Sequence, residues 1–224
     1  MFGEIAGRYD FLNHLLSAGI DRRWRRRTTE LAPLREGGPV LDVCTGTGDL
    51  ALAYWQSGGG EVEVVGADFC RPMLEIGLDK VRRAGAGDTI RLVEADTEHL
   101  PFANDRFEIV SVAFGLRNVS DTDVGLREMA RVCRPGGRVV VLEFSMPRSR
   151  IIRGAYGRYF RRLVPLVGQA LAKNRQDAYN YLPASVQEFP EYEALVERFR
   201  EVGLKDVHYR RLTFGVATLY VGVK

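Results

Sequence analysis

A glycine turn flanked by carboxylates is the segment of this 224-residue sequence most suited to nucleotide chemistry. Residues 41–51 have the sequence LDVCTGTGDLA and stand between a β-branched run and a helical pattern. Gly46 and Gly48 let the backbone come close to a ligand at the N-terminus of that helix. The same spacing fits the dinucleotide fingerprint G-x-G-x-x-A, and it also fits a turn with a purely structural role.

The acidic residues beside the glycines favour one of these ligands. Asp42 and Asp49 would repel a pyrophosphate by roughly a few kcal/mol at short range. They would attract the ammonium group of a methionine moiety instead. The segment is therefore predicted to bind S-adenosylmethionine, with Asp42, Gly46 and Gly48 among the residues that contact it.

Two later aspartates extend the predicted site. Asp68 ends the second predicted strand, where its carboxylate can accept both ribose hydroxyls, and each such bond is worth about 1.5–3 kcal/mol in a partly dry site. Asp96 follows the third predicted strand, where it could accept the adenine amino group. The alternatives are a solvated aspartate at a strand end for Asp68 and an ordinary turn former for Asp96.

Aromatic side chains are candidates for contact with the sulfonium cation, which aromatic faces stabilise by about 0.5–2 kcal/mol. The candidates are Tyr9, Phe69 and Phe114. Packing in the core explains Phe69 and Phe114 equally well.

After Pro39, β-branched runs alternate with helical patterns, which predicts a parallel sheet covered by helices on both faces. The five predicted strands are Val40–Val43, Val62–Ala67, Thr89–Glu94, Phe107–Ala113 and Arg138–Phe144. The predicted crossover helices include Ala51–Gln56, Met73–Arg83 and Val124–Val132. Asp121 is the predicted N-cap of the third of these helices. The string Arg134-Pro135-Gly136-Gly137 is predicted to end that helix and to turn the chain into the fifth strand.

The C-terminal region has a predicted helix at Tyr192–Val202 and two strands, Val207–Leu212 and Val216–Val223. Only Thr213-Phe214-Gly215 separates the strands, so they must be antiparallel. We expect a single domain over residues 1–224. Its expected parts are a helical cap at 1–31, a cofactor-binding core at 39–144, a helical lid at 147–190, and the C-terminal helix and hairpin at 191–224. The cap is expected to cross the carboxyl ends of the strands.

Composition narrows the compartment and the partners. Apolar and charged fractions of 46% and 27% are typical of a globular protein. The net charge is only +3, but the positive charge is concentrated in arginine-rich stretches at 22–27 and 148–162. Cys44, Cys70 and Cys133 lack the close pairs of a zinc site or a disulfide framework, so we expect no metal and a reducing cytoplasm. No apolar run approaches the length of a bilayer-spanning helix.

Several strings resemble the ubiquinone/menaquinone biosynthesis C-methyltransferase family, and the match covers nearly the whole chain. Besides the glycine motif, they are LPF at 100–102, FGLRNV at 114–119, RPGG at 134–137, LEFSMP at 142–147 and YNYLPAS at 179–185. Many methyltransferases share the glycine motif, but FGLRNV and LEFSMP are specific to few. YNYLPAS resembles the lid of the menaquinone branch more than that of the ubiquinone branch.

The resemblance implies an α/β fold, the single-domain class I S-adenosylmethionine-dependent methyltransferase (Rossmann-like) fold. This fold has a mostly parallel seven-stranded sheet, an antiparallel C-terminal hairpin and, in this family, a helical lid. The resemblance also implies cofactor contacts by Thr47, by Asp68, and by Asp96 with Thr97. The family often has Ser where this chain has Ala113, so a backbone group or water must replace one polar contact.

The same resemblance implies methylation of a ring carbon of a demethylmenaquinol-like or ubiquinol-precursor hydroquinone. Alignment of two bound reactants supplies up to about 7–11 kcal/mol, so no covalent catalyst is required. Candidates to bind or polarise the phenolic oxygens are Arg117, Asn118 and Tyr181. Candidates to relay a proton are Tyr9, Asp10, His14 and Glu143. A structural ion pair is the alternative for Arg117, and a surface or helix-packing role is the alternative for His14.

A polyprenylated hydroquinone lies in the membrane, which suggests a purpose for the stretch Arg148–Arg162. Its arginines interleave with apolar and aromatic residues, a pattern typical of a helix lying on anionic lipid and also of a solvated helix face. We therefore expect a cytoplasmic protein with peripheral contact at the inner face of the membrane. The sequence leaves the oligomeric state open, a homodimer included.

Other functions fit parts of the sequence. A methyltransferase for a sterol, lipid or polyketide is the nearest alternative, and a non-catalytic scaffold for quinone synthesis is another, although the intact glycine turn and Asp68 argue against it. No nucleic-acid partner is expected, because no Asn/Asp-Pro-Pro-aromatic string and no RNA-binding appendage is present. Arsenic methylation is disfavoured because the cysteines are expected in or beside scaffold elements instead of converging on a pocket.

Overall fold

The computed structural model describes residues 19–154, 156–158 and 189–224. The strands are β1 Val40–Val43, β2 Val64–Asp68, β3 Ile90–Glu94, β4 Phe107–Ala113, β5 Cys133–Phe144, β6 Lys205–Leu212 and β7 Ala217–Val223. The α-helices are α1 Ile20–Leu31, α2 Asp49–Ser57, α3 Arg71–Arg83, α4 Thr122–Val132 and α5 Glu193–Glu201. Short 3-10 helices lie at Leu116–Asn118 and Thr213–Gly215. The strands form one sheet in the order β3-β2-β1-β4-β5-β7-β6.

The central strands are buried on both faces, which is why their sequences are almost continuously apolar. Val40 pairs with Val64 and Ile109, and these side chains pack into one core cluster. Leu41 and its register partners, next along the strands, pack into the cluster on the opposite face. The predicted parallel sheet, covered on both faces, is therefore confirmed.

The C-terminal hairpin is antiparallel, as its short link predicts. β7 pairs antiparallel with both β5 and β6, so it lies between them and completes the seven strands. The predicted cap of α4 is also confirmed, because the Asp121 carboxylate accepts hydrogen bonds from the amides of Asp123 and Val124. Strand and helix ends differ from the prediction by a few residues.

The prediction for residues 134–137 is wrong in one respect. The string RPGG lies inside β5, which already begins at Cys133. Phe107 pairs with Cys133 and Ile109 with Arg138, so these residues bulge out of the register with β4. Their backbone is held by the end of the chain, because the Gly136 amide donates to the Lys224 carbonyl and the Lys224 amide donates to the Gly137 carbonyl. Long-range pairing therefore extends the strand through a string that signals a turn.

The described part of the cap packs where it is expected. Trp24 of α1 contacts the rings of Phe114 and Phe144, which lie at the carboxyl ends of β4 and β5. Its indole also donates to Thr213 Oγ1 in the hairpin link, at 2.8 Å. Most of the predicted lid, and the cap before residue 19, lie outside the described residues. Across the described ranges, no helix combines the length and apolar character needed to cross a bilayer.

Candidate functional site

A cavity of about 270 Å³ opens at the carboxyl ends of the adjacent strands β1 to β4. Predicted site residues that line it are Gly46, Asp68, Phe69, Asp96, Thr97, Ala113, Phe114 and Asn118. The sheet order reverses between β1 and β4, and open α/β sheets bind ligands at such a switch point. The cavity therefore unites residues that are more than seventy positions apart in the sequence.

The glycine turn after β1 adopts the left-handed backbone that its composition predicts. Gly46 has a φ of +58° and Gly48 has a φ of +81°, and Cys44 reaches +49° without being glycine. Gly115, in the string FGLRNV, lies against this turn. A Cβ atom built on Gly115 would stand 2.3 Å from the Cys44 Cβ, so only glycine fits there.

Asp42 is buried beneath the turn and does not line the cavity. Its carboxyl accepts hydrogen bonds from Thr45 Oγ1 at 2.7 Å and from Ser111 Oγ at 3.0 Å. Burial raises the pKa of the Asp42 carboxyl to about 7, although both hydrogen bonds oppose that shift. Asp42 is thus placed to hold the turn in shape from below.

Asp49 is neutralised by a lysine that the sequence prediction does not include. Lys80 Nζ lies 2.5 Å from Asp49 Oδ1 and 2.8 Å from Thr47 Oγ1. The repulsion of a pyrophosphate by Asp49 is therefore weaker than the sequence argument assumes. Gly77, one turn before Lys80 on α3, is the signal that could have indicated this contact. A Cβ there would lie 3.2 Å from the Thr47 backbone, so glycine allows α3 to approach the turn.

Asp68 lines the cavity and braces the glycine turn at the same time. Its Oδ2 accepts the Gly46 amide at 2.8 Å, and its Oδ1 accepts the Cys70 amide at 2.8 Å. Burial raises the pKa of the Asp68 carboxyl, and these two backbone bonds oppose the rise. A carboxylate has about four acceptor positions, so each oxygen keeps a position for a ribose hydroxyl.

The adenine side of the predicted site is built on the turn after β3. Asp96 Oδ1 accepts the Glu98 amide at 2.9 Å, which is the turn-forming role named as its alternative. Asp96 also lines the cavity, so the turn and a ligand contact are compatible. Thr97 is buried, with its Oγ1 3.3 Å from Cys44 Sγ. Glu98 lines the cavity as well and is absent from the sequence prediction.

The structure separates the two aromatic candidates that it describes. Phe69 lines the cavity with 59% of its surface exposed, so it is open to a ligand. Phe114 is 7% exposed and lies 4.5 Å from the Phe144 ring, centroid to centroid, within the core cluster. Phe69 therefore has little packing role, whereas Phe114 contributes to the core and to the cavity wall.

Arg117 lies in a buried ion pair, which is the structural alternative named for it. Its Nη1 is 2.7 Å from Glu143 Oε2 and 2.7 Å from the Phe114 carbonyl. Glu143, one of the predicted proton relays, is 1% exposed and is occupied by this pair. Asn118 differs from both, because it lines the cavity and its buried Oδ1 has no hydrogen-bond partner among the described residues.

Two cysteines line the cavity, which corrects the expectation that they stay away from a pocket. They are Cys44, at the end of β1, and Cys70, at the start of α3. Burial raises the pKa of the Cys44 thiol to about 12, so it is protonated at neutral pH. No group of side chains able to hold a metal ion occurs in the described part of the chain. The remaining candidates Tyr9, Asp10, His14 and Tyr181 lie outside the described residues.

The sheet order and the cavity define a class, the S-adenosylmethionine-dependent methyltransferase fold, and solved structures agree. A SAM-dependent methyltransferase from Aquifex aeolicus aligns over 89% of this chain and 88% of its own, with a TM-score of 0.63 and 16% identity. The [4+2]-cyclase SpnF aligns over 91% and 81%, with a TM-score of 0.69 and 17% identity. A cyclase with this fold shows that the fold alone does not determine the reaction.

The chain belongs to the ubiE/COQ5 methyltransferase family, whose model matches residues 1–224. The ubiquinone/menaquinone biosynthesis C-methyltransferase UbiE of Geobacter sulfurreducens is 48% identical over the whole chain, which covers 87% of that protein. The UbiE of Pseudomonas aeruginosa is 42% identical with the same coverage. The predicted family, fold and cofactor are thereby confirmed, and the chain is an S-adenosylmethionine-dependent methyltransferase.

Proposed function

We propose that this enzyme methylates a ring carbon of a demethylmenaquinol-like or ubiquinol-precursor hydroquinone. The family and the names of the relatives support the substrate class. The observation that carries the cofactor assignment is the charge of the cavity. Asp68, Asp96 and Glu98 line the cavity. Among the described residues that line it, none is a lysine or an arginine.

An anionic cavity fits a cationic cofactor and disfavours a pyrophosphate. Asp42 and Asp49 are the expected source of this selectivity, but neither lines the cavity, and the positions of Asp68, Asp96 and Glu98 support those three residues in that role. Asp68 keeps acceptor positions for the ribose, and the exposed ring of Phe69 is open to the ligand. When bound, S-adenosylmethionine supplies an electrophilic methyl group on its sulfonium.

The contribution proposed for the protein is positioning. Asn118 Oδ1 is a buried acceptor without a partner among the described residues, and leaving it so costs free energy. A hydroxyl of the hydroquinone ring would satisfy it and fix the ring beside the cofactor. The Arg117–Glu143 pair holds the backbone of this segment through the Phe114 carbonyl, so Arg117 is proposed as a positioning residue.

The residues predicted to accept a proton from the hydroquinone lie mostly outside the described ranges, so their role stays a prediction. Tyr9, Asp10 and His14 of the cap and Tyr181 of the lid are the candidates. Glu143 is less suited, because it is 1% exposed and already paired with Arg117.

A methylation assay with purified protein tests the proposal. We expect methyl transfer from S-adenosylmethionine to demethylmenaquinol or to a ubiquinol precursor, identified by mass spectrometry, and none to a sterol. Asn118→Ala should raise the KM for the hydroquinone and leave cofactor binding by calorimetry unchanged. Asn118→Asp, which keeps an acceptor of the same size, should restore part of the loss. Cofactor binding without methylation of either hydroquinone would refute the proposed substrate.

We also propose that the protein is cytoplasmic and contacts the inner face of the membrane through Arg148–Arg162. In the described part of that stretch, Arg148, Arg150, Arg153 and Arg158 are exposed. Arg148 forms an ion pair with Glu193. A homodimer is a separate prediction, and light scattering of the purified protein checks it.

A further inference from the structure

A second groove lies at the edge of the sheet, away from the cofactor cavity. It has a volume of about 710 Å³ and is lined by Ser149, Ile152, Tyr209, Arg210, Arg211 and Phe214. The groove shares no lining residue with the cavity at the ends of β1 to β4. Its walls are the segment after β5, the edge strand β6 and the link of the C-terminal hairpin.

The hairpin link presents a phenylalanine to solvent in a strained conformation. Thr213, Phe214 and Gly215 have successive positive φ angles of +44°, +59° and +93°. For bulky residues this backbone is unfavourable and persists only where surrounding contacts impose it. Phe214 is 77% exposed, so burial of its own side chain does not compensate for the strain.

The contacts that impose this conformation come from three directions. Trp24 of α1 donates to Thr213 Oγ1 at 2.8 Å, and Ser145 Oγ donates to the Gly215 carbonyl at 3.0 Å. Tyr192 closes the third side, because its hydroxyl donates to the Met146 carbonyl at 2.6 Å and lies 3.5 Å from the Gly215 carbonyl. The link and the start of the segment after β5 therefore form one rigid surface.

This surface combines free cations with exposed apolar side chains. Arg150, Arg210 and Arg211 are exposed, and none of them pairs with a carboxylate of the described residues. Glu193, the nearby acid, is already occupied by Arg148 and by the Tyr209 hydroxyl. In the segment after β5, Ile151 is 85% exposed, so it is a second apolar side chain held in solvent, as Phe214 is.

We propose that this hairpin-link surface, made of Arg150, Ile151, Arg210, Arg211 and Phe214, docks the enzyme on a bilayer containing anionic phospholipid. Arg210 and Arg211 bind lipid phosphate at the groove, while Phe214 and Ile151 enter the interface, where an aromatic ring is stable. The inference adds Arg210, Arg211 and Phe214, from β6 and the hairpin link, to the membrane contact proposed for Arg148–Arg162, and it rests on the proposed lipophilic substrate only for its purpose.

Flotation of the full chain with vesicles tests the proposal. We expect binding to vesicles of phosphatidylglycerol and phosphatidylcholine, and much weaker binding to phosphatidylcholine alone. Arg210→Gln with Arg211→Gln should weaken binding by about tenfold or more, since two arginines near an anionic surface together contribute an effect of about that size. Phe214→Asn should also weaken it, and asparagine tolerates positive φ, so the fold is retained.

The matched control is Arg82→Gln with Arg83→Gln, which removes the same charge from the end of α3 at the opposite edge of the sheet. This control should bind vesicles nearly as well as the wild type. Equal loss in both double variants, or unchanged binding of the Phe214→Asn and Arg210/Arg211 variants, would overturn the proposal. Methylation of a short-chain, water-soluble hydroquinone should be normal in every variant, so failure of the docking proposal is distinguishable from failure of the proposed function.

Discussion

The Gly46 amide lies 2.8 Å from Asp68 Oδ2, so the carboxylate predicted to hold the ribose also holds the glycine turn. Its other oxygen accepts the Cys70 amide at the start of α3. One side chain therefore links the end of β1, the end of β2 and the following helix. If Asp68 also binds the ribose as proposed, this residue contributes both to cofactor affinity and to the stability of the fold.

Asp68→Asn should impair both properties. An amide nitrogen cannot accept a hydrogen bond, so either Gly46 or Cys70 loses its acceptor, at a cost of about 1–3 kcal/mol in the free energy of unfolding. The dissociation constant for S-adenosylmethionine should rise about tenfold or more, equivalent to about 1.4 kcal/mol. Calorimetry and urea denaturation measure the two effects.

Asp96→Asn is the control for this pair of effects. Asp96 is exposed, and its carboxylate accepts a single backbone amide, that of Glu98. Loss of the Asp96 charge should therefore weaken cofactor binding and leave the free energy of unfolding nearly unchanged. A folded Asp68→Asn variant with the wild-type dissociation constant would contradict the role given to Asp68.

Phe69→Ala and Phe114→Ala should differ in kind. Phe69 is mostly exposed, so its truncation should raise the dissociation constant for the cofactor and leave the free energy of unfolding within about 0.5 kcal/mol of wild type. Phe114 packs against Trp24 and Phe144, so its truncation should cost about 3–5 kcal/mol of stability. Calorimetry and chemical denaturation of both variants check this, and equal stability losses would show that Phe69 is a core residue.

The contrast between these residues shows what the sequence can predict. Alternation and glycine spacing are local signals, so the strands, the turn and the strand-end carboxylates at Asp68 and Asp96 follow from them. The partner of Arg117 is Glu143, 26 positions later, and the partner of Asp49 is Lys80, 31 positions later. No local pattern encodes such distances, so the sequence cannot decide between a substrate-binding arginine and an ion pair.

Breaking the Arg117–Glu143 pair should be strongly destabilising. Arg117→Met leaves the Glu143 carboxylate buried without its cation, which should cost about 3–5 kcal/mol in urea denaturation. Arg117→Met combined with Glu143→Gln should be more stable than Arg117→Met alone, because no uncompensated charge is buried. An Arg117→Met variant as stable as the wild type would show that the pair has no structural role.

The buried Asp42 should make the stability of the protein depend on pH. Burial raises the pKa of its carboxyl to about 7 in the folded state, against about 3.9 in the unfolded chain. Between these values the folded state binds the proton and the unfolded state does not, so stability decreases as pH rises. The total loss from this one group is about 4 kcal/mol, complete slightly above pH 7.

Asp42→Asn removes this titration and keeps the size of the side chain. Relative to the wild type, the variant should become progressively more stable from about pH 4 to pH 7, with a constant difference above that range. Ser111→Ala should have the opposite effect, because it removes a hydrogen bond that favours the charged carboxylate, which raises the pKa of Asp42 further and extends the decline to higher pH. Urea denaturation in steps of pH measures all three proteins. Parallel curves of unfolding free energy against pH for Asp42→Asn and the wild type would mean that Asp42 is ionised in the folded protein over the whole range. A buried carboxylate beneath the glycine turn would then need a stabilising partner beyond Thr45 and Ser111.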